Sequence, residues 1–387
     1  MNTKRIVSYR DVFTYAGAFI ALLIGSGFAT GQEIMQYFAA WGFWGMAGAV
    51  VCFALLAYVG VVFISCGYHR EFEKPNDIYK YFCGPYLGTF YDYFSILFIY
   101  MSYIVMVGGA SATGAQHYHW PNWLGGALLA GLAMLTVVFG LKRIVDVIGK
   151  IGPAIVVLSI IVAVGALWIH RGGISTADSY VKALRAAGEI KVASTNWLLA
   201  VGSYVGFCML WLAAFLGQVG RGARSHRDGR AGAILGAGGF SLAVILMSLA
   251  ILFAMPSIEG LNHSQIPNLI LAGEIAPWLA NVFSVVILLG IYTTAVPLLW
   301  NVIARFAEDR TKKFTIITAV LGVIGAVIGI FLEFDVLVNY VYVLNGYVGL
   351  ALLCILFLRT ILGKHKELRE GAPVKKFSDG TEILPEE

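Results

Sequence analysis

The sequence predicts an all-α polytopic membrane protein, and three observations carry that prediction. Of its 387 residues 59% are hydrophobic and 13% charged, with a mean hydropathy of +0.79; a soluble globular chain carries about 25% charge. Apolar runs of about 18–30 residues recur ten times, each long enough to cross a bilayer. The segments joining them alternate between basic and non-basic.

In order, the spans are 11–40, 43–67, 88–116, 122–141 and 145–169, then 195–218, 231–254, 276–306, 314–332 and 335–360. This divides the chain into a first five-helix repeat (1–169), an extracellular connecting loop (170–194), a second five-helix repeat (195–360) and a flexible cytoplasmic tail (361–387). With the N-terminus inside, 23 of the 27 lysines and arginines fall on inside segments. The exceptions, Arg171, Lys182, Arg185 and Lys191, share the connecting loop. The positive-inside rule then predicts both termini cytoplasmic. Trp41, Trp44, Trp120, Trp123, Trp168, Trp197 and Trp278 fall near the outer ends, as an interfacial belt does. No cleavable signal peptide is expected, because the first apolar run continues as a full span. The five cysteines lie in apolar spans or inside loops, so no disulfide framework is implied. The 45 glycines suit close helix packing in a membrane.

The first span is interrupted. Its centre reads Gly25-Ser26-Gly27-Phe28-Ala29-Thr30-Gly31-Gln32-Glu33. Each of the three glycines weakens a helix by about 1 kcal/mol relative to alanine. In hydrocarbon, unwound backbone is tolerated where protein, an ion, a solute or water satisfies it. The sixth span carries a similar centre, Gly202-Ser203-Tyr204-Val205-Gly206-Phe207, and it opens the second set of five. Ten transmembrane helices as a 5+5 inverted repeat, with broken helices 1 and 6, is the pattern of a transporter with a mid-membrane site.

These features resemble the LeuT-type fold of the amino acid–polyamine–cation transporter superfamily, over all ten spans. The stretch IGSGFATGQEI most resembles the YkvI-like branch of bacterial membrane proteins. The resemblance implies a substrate site lined by helices 1, 3, 6 and 8. Its residues would be Gly25, Ser26, Gly27, Tyr100, Tyr103, Gly202, Ser203, Tyr204 and Phe207. It implies a lid at 256–275, with a short surface helix at Ser264–Ala272. In sodium-coupled members, paired hydroxyls of helix 8 join helix 1 carbonyls around the ion. Here these are Thr293 and Thr294 with Ala21 and Ile24. A second sodium position uses an asparagine where this chain has Phe28, which argues against a second ion. Lys150 on helix 5 either snorkels to the inner surface or stands in for sodium, as a lysine does in some proton-coupled relatives.

Glu33 is the one acid placed well inside an apolar span. Along a straight helix it lies roughly 9–10 Å outward from Gly27. An embedded acid pairs with a substrate amine, takes up a proton or structures the gate. The chain shows no phosphate loop, no zinc spacing and no Cys/His pair with a plausible catalytic geometry, so no enzyme is expected, and no cofactor beyond Na⁺. The expected function is secondary active transport of a small amino acid or related nitrogenous solute across the bacterial cytoplasmic membrane. Transport is coupled to Na⁺ or H⁺ and proceeds by alternating access. The alternatives are a solute-sensing receptor on the same fold and a channel. The partners expected are the small-molecule substrate and the bilayer, with no nucleic acid and no obligate protein partner. With no arginine near the first break, the half-helix end after Gly25 carries about half a unit charge. That arrangement favours zwitterionic or neutral solutes, while Glu33 leaves a basic solute open.

Overall fold

A computed structural model describes residues 8–70, 72, 74–139 and 145–362, with the side chains of Ser26 and residues 145–153 excepted. It also describes two short strands, β1 (Lys375–Lys376) and β2 (Glu382–Ile383), paired antiparallel. The rest of the expected tail and the side chain of Lys150 lie outside the described residues.

Three short pieces make up the first apolar segment: α1 (Tyr9–Leu23), α2 (Ser26–Thr30) and α3 (Gln32–Tyr37). Then come α4 (Phe43–His69), α5 (Asp77–Tyr118), α6 (Asn122–Phe139) and α7 (Val145–Ile169). The connecting loop holds α8 (Ala177–Ala187). The second half begins with α9 (Trp197–Gly222) and α10 (His226–Ala254), followed by α11 (Pro267–Ile275) within the expected lid segment. It ends with α12 (Pro277–Ile303), α13 (Lys312–Phe331), α14 (Phe334–Leu337), a π-helical turn (Val338–Tyr342) and α15 (Val343–Ile361). Eight segments among the described residues are long and apolar enough to cross a membrane. The 25-residue α7 and the broken first segment occupy the positions of spans 5 and 1.

The packing pattern repeats between halves. Helix α9 lies on α4 as α1 lies on α10, and α13 lies on α5 as α6 lies on α12. These are the equivalent pairs when the five helices of each half are matched in order, as an inverted repeat requires.

The expected break in helix 6 is absent: α9 runs unbroken from Trp197 to Gly222, so Gly202 and Ser203 open no half-helix. Their small size serves packing instead. A Cβ on Gly206 would overlap the Gly346 carbonyl and the Leu350 amide, and one on Gly349 would overlap the Gly206 carbonyl. Gly202 sits against Leu350, and the Ser203 hydroxyl donates to the Val343 carbonyl at 3.1 Å. Small residues on α9 and α15 thus let two backbones touch, a common use of glycine between membrane helices.

Candidate functional site

The first segment is interrupted twice. Helix α1 ends at Leu23, and Gly25 is extended (φ −94°, ψ −164°). Its Cα faces open space: a Cβ there would meet nothing within 4 Å. Ala29 N–H donates to the Gly25 carbonyl at 3.1 Å, so the amides of Ser26, Gly27 and Phe28 form the free start of α2. The second interruption is Gly31, with φ +87°, a conformation that glycine adopts without a Cβ penalty. It ends α2 and redirects the chain into α3.

That second bend changes the position of Glu33. Its carboxyl folds back onto Gly27, where a Cβ would overlap its side-chain atoms. The outward displacement expected for a straight helix is therefore wrong for the carboxyl group, because Gly31 breaks the axis. Glu33 is 2% exposed and has no ion-pair partner among the described residues. It faces the Tyr204 hydroxyl, with Tyr37 and Tyr342 close by. Among the described residues, no group comes within hydrogen-bonding distance and angle of the buried hydroxyls of these three tyrosines or of the Trp211 indole N–H.

The rings form one cluster. Tyr37 and Phe38 meet Tyr204 edge-on at 5.1 and 5.0 Å between centroids. Phe207 lies 4.9 Å from both Tyr204 and Tyr342, and Trp211 lies 5.3 Å from Phe207. Tyr37 follows Glu33 by four positions, and Phe207 and Trp211 follow Tyr204 by three and seven. Helical spacing places each set on one face, a signal the sequence carried for Tyr37 and Trp211. Nothing comparable marked Tyr342, which reaches the cluster from the π-helical turn.

Other expected site residues lie elsewhere. Tyr100 and Tyr103 turn to α13, donating to the Leu321 and Gly322 carbonyls at 2.8 and 3.4 Å, so their hydroxyls serve the α5–α13 contact. Thr293 and Thr294 both donate to the Gly290 carbonyl, at 3.0 and 2.9 Å. This donation leaves their oxygen lone pairs free to accept or coordinate. Ile24 is buried, whereas Ala21 is exposed.

Helix α11, in the expected lid segment, packs against the break. Asn268 of α11 donates to the Phe28 and Ala29 carbonyls at 3.2 and 3.0 Å, and Gly31 lets it approach. The expected surface helix is instead inserted: Pro267, Asn268, Leu269, Leu271 and Ala272 are all buried. Arg185 of α8 donates to the Ala40 carbonyl at 3.0 Å and lies over the Trp41 ring. Asp178 accepts from Phe43 N–H at 3.1 Å, and the Lys182 ammonium bonded to it holds its carboxyl below the usual range. Gln36 donates to the Asp335 carbonyl and accepts from Asn339, while Lys191 bonds the Asp335 carboxylate. Every residue from Gly27 to Trp41 is buried, whereas Gly17 and Ala21 on α1 are exposed.

Three solved structures share this architecture. MhsT in complex with L-phenylalanine matches with a TM-score of 0.56 and 16% identity, over 89% of this chain and 88% of that one. A substrate-bound, outward-open Na⁺-coupled sialic acid symporter matches at 0.58 and 13%, over 92% and 82%. Mhp1 in its inward-facing conformation matches at 0.55 and 15%, over 92% and 77%. The chain has the LeuT-type fold. In sequence it is similar to two proteins of Bacillus subtilis (strain 168). It is 26% identical to the uncharacterized protein YyaD over 89% of this chain and 95% of YyaD. To the uncharacterized membrane protein YkvI it is 22% identical, over 87% and 92%. No family model matches the chain.

Proposed function

We propose that this multi-pass membrane protein is a secondary active transporter that moves a small amino acid or related nitrogenous solute by alternating access. The observation that carries this reading is the doubly interrupted first segment, which folds the Glu33 carboxyl back onto Gly27 at the break. Irregular backbone and a buried acid are costly in a membrane and mark solute or ion sites. The solute meets Gly25, Ser26 and Gly27 of the break, the carboxyl of Glu33, and Tyr204 and Phe207 of α9. The Na⁺-coupled sialic acid symporter of the same fold supports ion coupling. Sodium would be held by Thr293, Thr294 and the carbonyls of Ala21 and Ile24; a proton on Glu33 would serve in its place. The protein sits in the bacterial cytoplasmic membrane with both termini inside. The basic residues support that orientation.

The test is uptake of labelled amino acids and amines by purified protein in liposomes, with Na⁺ and H⁺ gradients imposed separately. Accumulation above equilibrium under one gradient is expected. Equilibration that ignores both gradients would identify a channel instead.

A further inference from the structure

A cavity of about 580 Å³ lies apart from the break, within the usual size of a small-molecule site. Its walls are the C-terminal end of α5, the first residue of α6, residues 263–265 of the expected lid segment and the junction of α13 with α14. None of its lining residues belongs to α1, α2, α3 or α9, so it is not the Glu33 site. Its polar groups are only partly used. Gln116 Oε1 accepts from the Ser264 hydroxyl at 3.1 Å and from Ile266 N–H at 3.0 Å, and Nε2 donates to the Ile266 carbonyl at 3.0 Å. One of its two amide hydrogens is left over. Gln265 Oε1 accepts from Asp335 N–H at 3.0 Å, and its amide nitrogen has no acceptor among the described residues. Ser111 is 7% exposed, and no group among the described residues comes within hydrogen-bonding distance and angle of its hydroxyl. A buried polar atom in that position marks a place for a ligand or water. Among the described residues no lysine or arginine lines the cavity, and its one carboxylate, Glu333, already faces Lys191 at 3.7 Å. The mouth is apolar: Phe331 and Leu332 are 81% and 47% exposed. Trp123, beside the lining residue Asn122, is exposed at the same end of the helices, as at a membrane–water interface.

We propose that this cavity is a second binding site, for a neutral sugar ring, either free or as the head group of a glycolipid. Each sugar hydroxyl both donates and accepts, as carboxamide and hydroxyl side chains do together. The unused groups of Ser111, Gln116 and Gln265 and the amide of Asn122 meet such a ring from several sides. Ile330, Leu332 and Phe334 supply the apolar wall for its C–H face. A solute carboxylate would find no cation here, and an ammonium would have to displace Lys191 from Glu333. The exposed apolar mouth takes a lipid or alkyl aglycone beside α13. Gln116 and Gln265 also tether the lid segment, to α5 through Ile266 and to α14 through Asp335. An occupant bonded to both therefore braces that segment. The site stands independently of the transporter reading.

Calorimetric titration of the full chain in phosphatidylcholine nanodiscs, free of glycoside detergent, tests the assignment. Three probes share one ring: methyl glucoside, methyl glucosaminide and methyl glucuronide, which are neutral, cationic and anionic at a pH where the amine is protonated. Methyl glucoside is expected to bind most tightly and to slow hydrogen exchange of residues 261–266. Asn122→Ala, at the exposed rim, is expected to weaken it roughly two- to tenfold, the range for one neutral hydrogen bond. Ala112→Phe, which fills the cavity, is expected to abolish binding. If Ala112→Phe does not fold, the charge ranking and Asn122→Ala still decide. Tighter binding of either charged analogue, no binding of methyl glucoside, or full affinity in Asn122→Ala or in folded Ala112→Phe would each overturn the assignment. Nanodiscs that also carry glucosyl diacylglycerol separate the two sources of the ring. Weaker apparent binding of added methyl glucoside there shows a head group already seated, and equal binding assigns the free sugar; both support a sugar site. Failure of every solute to move in liposomes would sink the transporter reading and leave this site standing, whereas driven uptake without sugar binding would do the reverse.

Discussion

Two segments of this chain carry the same glycine–serine centre and fold in opposite ways. At Gly25-Ser26 the helix stops, and the Cα of Gly25 faces open space. At Gly202-Ser203 the helix continues, with Leu350 and the Val343 carbonyl taking up the small residues, and one turn on Gly206 lies against the backbone of α15. A glycine in a membrane helix lowers its intrinsic stability in either setting. What decides the outcome is whether a neighbouring backbone uses the missing Cβ. Helix α9 has α15 beside it along its length, whereas α1 barely meets α7, the first-half helix equivalent to α15. The functional chemistry follows that asymmetry. The buried acid, the free amides and the left-handed glycine all belong to the first segment, and α9 supplies a rigid aromatic wall.

Substitutions at the two glycines should break or confirm this contrast. Gly206→Leu is expected to lose the folded protein, since overpacking there costs about 3 kcal/mol; Gly25→Leu should elute as a folded monodisperse species. Size-exclusion and thermal melts compare the pair directly, and equal tolerance would remove the distinction. Glu33→Gln should lower uptake in liposomes by at least about tenfold while the melting temperature holds or rises, because a buried acid without a counter-charge is removed. Next in size is Gly31→Ala, which forces a side chain to φ +87° and against Asn268. It should cost about 1–2 kcal/mol and undock the lid, read as faster proteolysis of residues 256–275. Asn268→Ala leaves the Phe28 and Ala29 carbonyls without their side-chain donor and should destabilise by about 1 kcal/mol. Smallest is Lys191→Met: its ion pair with Asp335 is partly exposed, and such pairs contribute roughly 0–1 kcal/mol.

The sequence announced the all-α membrane fold class and the position of the first break, because hydropathy and glycine clustering act locally. It expected a break in helix 6 that is absent, because a Gly-Ser pair beside a further nearby glycine occurs both in the broken segment and in the tightly packed one. The difference lies in Gly346 and Gly349, more than a hundred residues away. Tyr100 and Tyr103 share a helical face as their spacing requires, yet that face meets α13 rather than the break. Periodicity groups residues on a face without saying what the face touches. Glu33 was legible as an unusual acid, but its return to Gly27 depends on the left-handed Gly31, a single backbone angle that spacing along a helix does not report.

The most direct measurement is hydrogen exchange of the backbone amides in the two centres, followed by mass spectrometry on the full chain in lipid nanodiscs. Ser26, Gly27 and Phe28 begin α2 without a carbonyl one turn earlier, so they should exchange far faster than Ser203 through Phe207 inside unbroken α9. Protection of 26–28 equal to that of 203–207, or faster exchange in α9, would contradict the assignment of the break and its chemistry to the first segment alone.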